Sequence, residues 1–337
     1  MSSSAGMKTK ANINRQILEL IDSDMLKTQV ARRVFSERGG YAFDPNIIPI
    51  LDVMGRKAQS GLPFWELRCA VRWLTQRLRA KRYLEIGVRT GWSLLQAAGE
   101  RPSIDIMGFE LWVENYAGTA NGSPSEIRQR LLSTGHKGTV NFVSGDSHST
   151  LPAFISGLAA SERTKDGIFD VIVVDGDHSA TGAQQDLELC APLVKSGGAL
   201  AFDDLVHEQH PDLIAVWREF QQTHPSFLCV ENLRDYPGTG LAFRLPLPSF
   251  LSKRIDATEA KTSSIKSSSI ARDAIRRKAE DIGYLQNRQT QRPVDDKEKD
   301  IARLSQDLEQ VKTDRTAKDD TIARLSQDLE QVKTDRT

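Results

Sequence analysis

The sequence predicts an α/β protein with a seven-stranded, mostly parallel sheet, helices ahead of it and a coiled-coil tail behind it. Three observations carry this. Between Arg82 and Leu245 short apolar runs alternate with helical segments, the texture of βαβ units. Ahead of Arg82 the apolar residues recur at helical spacing. Near the end, IARLSQDLEQVKTDRT occurs at 301–316 and again, unchanged, at 322–337.

The elements follow in order. Residues 1 to about 12 are polar and read as a disordered start. From Asn14 to Ser36, Ile17, Leu20, Ile21, Met25 and Val30 mark a helix that ERGG closes with glycine. PNIIPILDVMGRKAQSG reads as a loop with a short helix, and PFWELRCAVRWLTQRLRAK as an amphipathic helix ending just before Tyr83. These make an N-terminal helical region over 1–80. The runs RYLEIGV, IDIMGFEL, VNFVSGD, FDVIVVDG and GALAFDDL then read as parallel strands. FLCVENL and GLAFRLP, joined by RDYPGTG, read as an antiparallel hairpin at the sheet edge, closing a domain over 81–247. A Ser/Lys/Arg-rich linker covers 248–298. In the tail, 299–337, the repeat offset of 21 residues is three heptads. Ile301, Leu304, Leu308 and Val311, and their copies Ile322, Leu325, Leu329 and Val332, take a and d positions. Arg315 and Lys318 fall on the same seam between the copies and weaken it.

Composition narrows the function. Lys+Arg and Asp+Glu are balanced at 45 each, so no basic surplus points to nucleic acid. Cys69, Cys190 and Cys229 are far apart, without metal-ligand spacing and too few for a disulfide framework. No stretch is apolar enough to span a bilayer, and the N-terminus lacks the apolar core of a signal peptide. A soluble cytoplasmic protein is the expectation.

In an open parallel sheet, ligands bind at the carboxyl ends of the strands. The first strand ends in Glu85-x-Gly87-x-x-x-Gly91-x-Ser93. The dinucleotide pattern G-x-G-x-x-G is absent, and no Lys-Ser/Thr pair follows a glycine-rich loop, so neither phosphate motif fits. A strand-end acid, two glycines and a helix start suit a zwitterionic amino-acid group with a cationic centre. Glu110 ends the second strand and Asp146 follows the third. Asp175, Asp177 and His178 follow the fourth, and Asp203 and Asp204 the fifth. Neighbouring strands lie about 4.8 Å apart, so these last two acidic ends converge. Carboxylates so packed repel one another unless protonated or bound to a cation, and oxygen ligands favour Mg²⁺, Ca²⁺ or Mn²⁺.

On these residues the sequence resembles the class I S-adenosylmethionine-dependent methyltransferases, whose sheet is Rossmann-like. FDVIVVDGDHSATGAQQDLELCAPLVKSGGALAFDDL resembles the branch holding macrocin-type sugar O-methyltransferases and cephalosporin-hydroxylase-like proteins. The resemblance spans about 81–245. It implies that Glu85, Gly87 and Gly91, with Thr90 and Ser93 of the same turn, hold the amino-acid part of S-adenosylmethionine. Glu110 would hold the ribose, Asp146 with Ser147 the adenine, and Asp175 would also border the cofactor. Asp175, Asp203 and Asp204 would bind Mg²⁺ or another divalent cation, although many relatives carry His-Asp where this chain has Asp203-Asp204. His178 is the general-base candidate, and His207 and His210 could face the substrate.

The implied acceptor is a hydroxyl of a sugar, glycan or glycosylated natural product, with a small phenol as the alternative. The coiled coil would support homo-oligomerisation or docking into a complex. Two rivals differ in class. One is a methyltransferase-fold scaffold working through its tail. The other is a hydroxylase-like protein, for which no cluster of two histidines and one carboxylate is evident at the strand ends. The segment WVENYAGTANGSPS (112–125) is expected to help cover the substrate.

Overall fold

The computed structural model describes residues 3–37, 48–114, 122–159 and 166–253. The linker and coiled-coil expectations therefore lie outside the described residues, save for the first few linker positions, and so does the middle of the 112–125 loop.

Seven strands form one sheet: β1 (Arg82–Ile86), β2 (Asp105–Glu110), β3 (Val140–Ser144), β4 (Phe169–Val174), β5 (Val194–Phe202), β6 (Phe227–Asn232) and β7 (Thr239–Arg244). Their spatial order is β3-β2-β1-β4-β5-β7-β6. The first five are parallel, while β7 runs antiparallel to β5 and to β6. The order reverses between β1 and β4, so a crevice opens at their carboxyl ends. This is the Rossmann-like, mostly parallel sheet that the sequence predicts. The hairpin at the edge is present, with the refinement that its second strand, β7, inserts beside β5 and leaves β6 outermost.

Alternate residues of each strand feed two separate cores, as a period of two requires. Tyr83, Val171, Val173, Ala199 and Phe243 face one layer. That layer contains α1 (Ser3–Lys27), α2 (Val30–Ser36), α3 (Ile48–Ser60), α4 (Leu67–Leu78) and α5 (Trp92–Glu100). Leu84, Ile172, Val174, Leu200 and Phe202 face the other. There they meet α7 (Ser147–Gly157), α8 (Ala180–Cys190) and α9 (Leu213–Thr223). A further helix, α6 (Pro124–Ser133), starts from a Ser123/Glu126 capping box.

The N-terminal region departs from expectation in two places. Helix begins at Ser3, not after residue 12. The single helix expected to Ser36 is broken at Gln29, whose φ of 52° is left-handed. The break lets Val30 and Val34 join the core that Ile17, Ile21 and Met25 already occupy. Buried ionic groups fasten this layer: Asp24 accepts hydrogen bonds from Trp73 Nε1 (2.8 Å) and Arg77 Nη2 (2.6 Å), and Arg72 donates to Gln96 (2.9 Å) and Glu100 (2.7 Å).

Candidate active site

A cavity of about 750 Å³ lies over the carboxyl ends of β1, β2, β4 and β5. Its floor is the turn after β1. Gly87 has φ +85°, and a Cβ there would stand 1.8 Å from the Asp175 carbonyl oxygen, so only glycine allows the ends of β1 and β4 to meet. Gly91, at φ +77°, is the N-cap of α5, and its missing Cβ makes room for Ile127.

Glu85 is buried and stands outside the cavity lining. It accepts hydrogen bonds from the hydroxyls of Tyr83 (2.8 Å) and Ser93. Burial pushes its pKa up to about 8 against the lowering effect of those two hydrogen bonds. Thr90, Gly91 and Ser93 also stand outside the lining, whereas Gly87, Glu110, Asp146, Ser147 and Asp175 are part of it.

Glu110 is held from both sides. One oxygen accepts from the Arg89 backbone N–H (2.7 Å) and the other from that of Trp112 (3.0 Å). Asp146 is the N-cap of α7 and accepts from the His148 N–H (3.0 Å), so it combines a capping role with a place on the cavity wall. Ser147 turns inward and donates to the buried Asp186 (2.8 Å).

The acidic ends of β4 and β5 do converge. His178 Nε2 lies 3.4 Å from Asp175 Oδ1 and 3.2 Å from Asp204 Oδ2. Asp177 instead accepts from the Ser179 N–H (2.8 Å) in the turn leading into α8, which leaves Asp175 as the acid facing the cluster. Asp203 is buried and accepts from the Thr239 hydroxyl (3.0 Å). Burial, then Asp175 and Asp204, hold its carboxyl well above the usual range. Asp204 is raised to about 6 by burial and by Asp175. It also has a left-handed backbone (φ 64°), an uncommon conformation for a residue other than glycine. Burial pulls the pKa of His178 down, but Asp175, Asp204 and Asp177 outweigh it and the net shift is upward. Crowded carboxylates of this kind attract a cation, and Arg68 and His178 supply part of that charge; among the described residues, Asp175, Asp203 and Asp204 do not come together as one ligand set.

One expectation is corrected. A cluster of two histidines and one carboxylate exists: the ligand atoms of His178, Asp204 and His210 all lie within 4.8 Å of one another. His210 comes from the loop after β5, and its ring stacks on that of His178 at 4.5 Å between centroids. Tilted rings extend the row through His207 (4.9 Å from His210) to Tyr236 (5.5 Å from His207), and all four rings line the cavity. Leu111, just ahead of the 112–125 region, and Val113, within it, line it too and are exposed.

Sequence reasoning missed Ile50, Arg68 and Tyr236, which complete the wall from outside the strand ends. It also missed Asp186, which ties α8 to the first residue of α7. No local pattern marks any of them. Arg68 reads as one charge among several on an amphipathic helix.

Residues 84–205 match a family model described as a methyltransferase domain. A comparison with curated proteins gave no match. Among solved structures, the chain is similar to the O-methyltransferase TomG of Streptomyces achromogenes, involved in tomaymycin synthesis and bound to S-adenosylmethionine. The identity is 20%, over 52% of this chain and 78% of that one, with a TM-score of 0.40. It is similar to a Bacillus cereus O-methyltransferase bound to S-adenosylhomocysteine (17% identity; 65% and 100% covered; TM-score 0.41). It is also similar to CalS11, a TDP-rhamnose 3'-O-methyltransferase of calicheamicin biosynthesis (19% identity; 65% and 94% covered; TM-score 0.41). At these identities and TM-scores the likenesses carry no weight for substrate. The stretch that matches the methyltransferase-domain model, residues 84–205, holds the five parallel strands, β1 from Leu84 onward, and the strand-end acids.

Proposed function

We propose that the protein is an S-adenosylmethionine-dependent O-methyltransferase acting, with a divalent cation, on a hydroxyl of a sugar, glycan or glycosylated natural product. The observation that carries this reading is the single cavity joining two sets of groups. Gly87, Glu110 and Asp146 lie along one side, and Asp175, Asp203, Asp204 and His178 along the other. Glu110, its carboxylate fixed by two backbone N–H groups, would hold the ribose hydroxyls, and Asp146 with Ser147 the adenine. Glu85, Thr90, Gly91 and Ser93 would shape the turn under the amino-acid part. Asp175, Asp203 and Asp204 would hold Mg²⁺ or a similar cation.

When bound, S-adenosylmethionine supplies an electrophilic methyl group and the cation makes an alcohol proton easier to remove. His178 would accept that proton as the acceptor oxygen attacks, and Asp175 and Asp204 beside its Nε2 would stabilise the imidazolium formed. The open cavity and the wall of stacked rings suit a ring-shaped, polyhydroxylated acceptor; a small phenol is the alternative. The C-terminal heptads support self-association or docking, and the buried free cysteines fit a cytoplasmic setting. Among the described residues, no helix is long and apolar enough to cross a membrane.

A calorimetric titration with S-adenosylhomocysteine, with and without Mg²⁺, tests the reading. Saturable binding is expected, weakened about 10- to 100-fold by Glu110→Ala through the loss of charged hydrogen bonds. Absence of binding in both conditions would retire it. A second reading rests on the His178–Asp204–His210 set, a donor type used by non-haem iron oxygenases. It predicts oxygen uptake with Fe²⁺, which a methyltransferase would not show.

A further inference from the structure

Among the described residues, Arg68 is the one permanent cation that the N-terminal helical layer brings to the cavity. It sits in the first turn of α4, where the helix dipole adds to its positive charge. Its guanidinium lies over the Trp92 ring, 5.1 Å from the centroid. Trp92 is the first residue of α5, directly after the Gly87–Gly91 turn. Glu66 takes Nη2 of Arg68 in an ion pair, while the buried Nε makes no hydrogen bond. A buried guanidinium N–H without an acceptor is costly, and a forked donor of this kind matches a carboxylate.

The charge around it narrows the choice. Acidic groups dominate the rest of the wall, through Glu110, Asp146, Asp175, Asp177, Asp203 and Asp204, beside Arg89 and three histidines. An anionic group is repelled along most of it. Arg89 also lines the cavity, from the loop after β1, where its backbone N–H holds Glu110 on the ribose side. Arg68 flanks the turn proposed for the amino-acid portion.

We propose that Arg68 binds the carboxylate of the cofactor's amino-acid portion, so that a helix outside the methyltransferase-family span completes the cofactor site. This rests on the reading of the cofactor as S-adenosylmethionine. A zwitterion would then have its carboxylate on Arg68 and its ammonium in the acidic cavity.

The test is a thermodynamic cycle on the full chain, by calorimetry. The ligands are S-adenosylhomocysteine and its decarboxylated analogue, which differ by the one group at issue. The wild type is expected to prefer S-adenosylhomocysteine by about 10- to 100-fold, the span of one or two charged hydrogen bonds. Arg68→Met should bind both ligands equally, at the level the wild type shows for the analogue. The pair Glu66→Gln with Arg68→Met leaves no buried charge unpaired and should give the same result. Arg68→Lys should keep part of the preference.

Three results would overturn the assignment: no preference in the wild type, a preference that survives Arg68→Met, or an equal loss of both ligands in every variant. Retained S-adenosylhomocysteine affinity with loss of inorganic phosphate binding would instead give Arg68 to an anionic acceptor. If the wild type binds neither adenosyl ligand, the cofactor reading itself has failed, and this is distinct from all of these.

Discussion

Glu85 shows how a residue can be placed correctly by sequence and still surprise by its state. Its position at the end of β1 and its nearness to Tyr83 and Ser93 follow from the pattern, but its burial does not, because the helices that cover this face of the sheet come from elsewhere in the chain. With a folded pKa of about 8 against an ordinary 4.5, the folded chain keeps a proton that the unfolded chain releases. Folding stability from this group is therefore complete below about pH 4.5 and is lost as pH rises through 8. The loss is on the order of a few kcal/mol. Glu85→Gln should flatten that slope, so wild type and variant should diverge in urea midpoint as the pH is raised from about 5 to 8. Parallel pH profiles would show that the carboxyl is already ionised. The same distinction applies to the histidines. His178 stands next to its strand in sequence and could be picked out; the stacking of His210 on it depends on how the loop after β5 turns back.

Elements were legible where the chain repeats a simple pattern. FDVIVV and RYLEI are apolar on both faces because helices cover both sides of the sheet. The break at Gln29 was not legible, since neither glycine nor proline marks it. Nor was the union of distant elements around Asp235. This buried acid lies in the β6–β7 link and forms an ion pair with Lys57 of α3. It also accepts hydrogen bonds from the Trp65 N–H (3.2 Å) ahead of α4 and from the Asn232 side-chain amide (2.9 Å) of β6. It thereby fixes the link that carries Tyr236 into the cavity wall. Asp235→Ala should cost about 2–4 kcal/mol, because it strands a partly buried lysine and two buried donors. The urea midpoint should fall with an unchanged slope; a midpoint within error of the wild type would mean these contacts contribute little.

At the scale of the molecule, residues 1–258 form one compact unit. The cavity needs more of that unit than the family match covers: Ile50 and Arg68 precede residue 84, and His207, His210 and Tyr236 follow residue 205. The strand-end acids were readable because sheet topology alone places them, whereas the rest of the wall depends on packing between elements far apart in the chain. The repeated heptads are a separate matter. Sedimentation of the full chain against a version ending at 253 should show a smaller association state for the shorter one. Identical states would leave the tail without a role in self-association.

The position of β7 sets a timetable for synthesis. β6 reaches the sheet only through β7, so β5 keeps an open edge until Arg244 has been made. An open edge is a hazard for pairing with another chain. Translation then continues for at least another 93 residues beyond Arg244. At about 5–20 residues per second this gives no less than roughly 5 s in which the nascent domain can seal its edge while still tethered to the ribosome. Any assembly driven by the tail would then join subunits whose sheets are already closed.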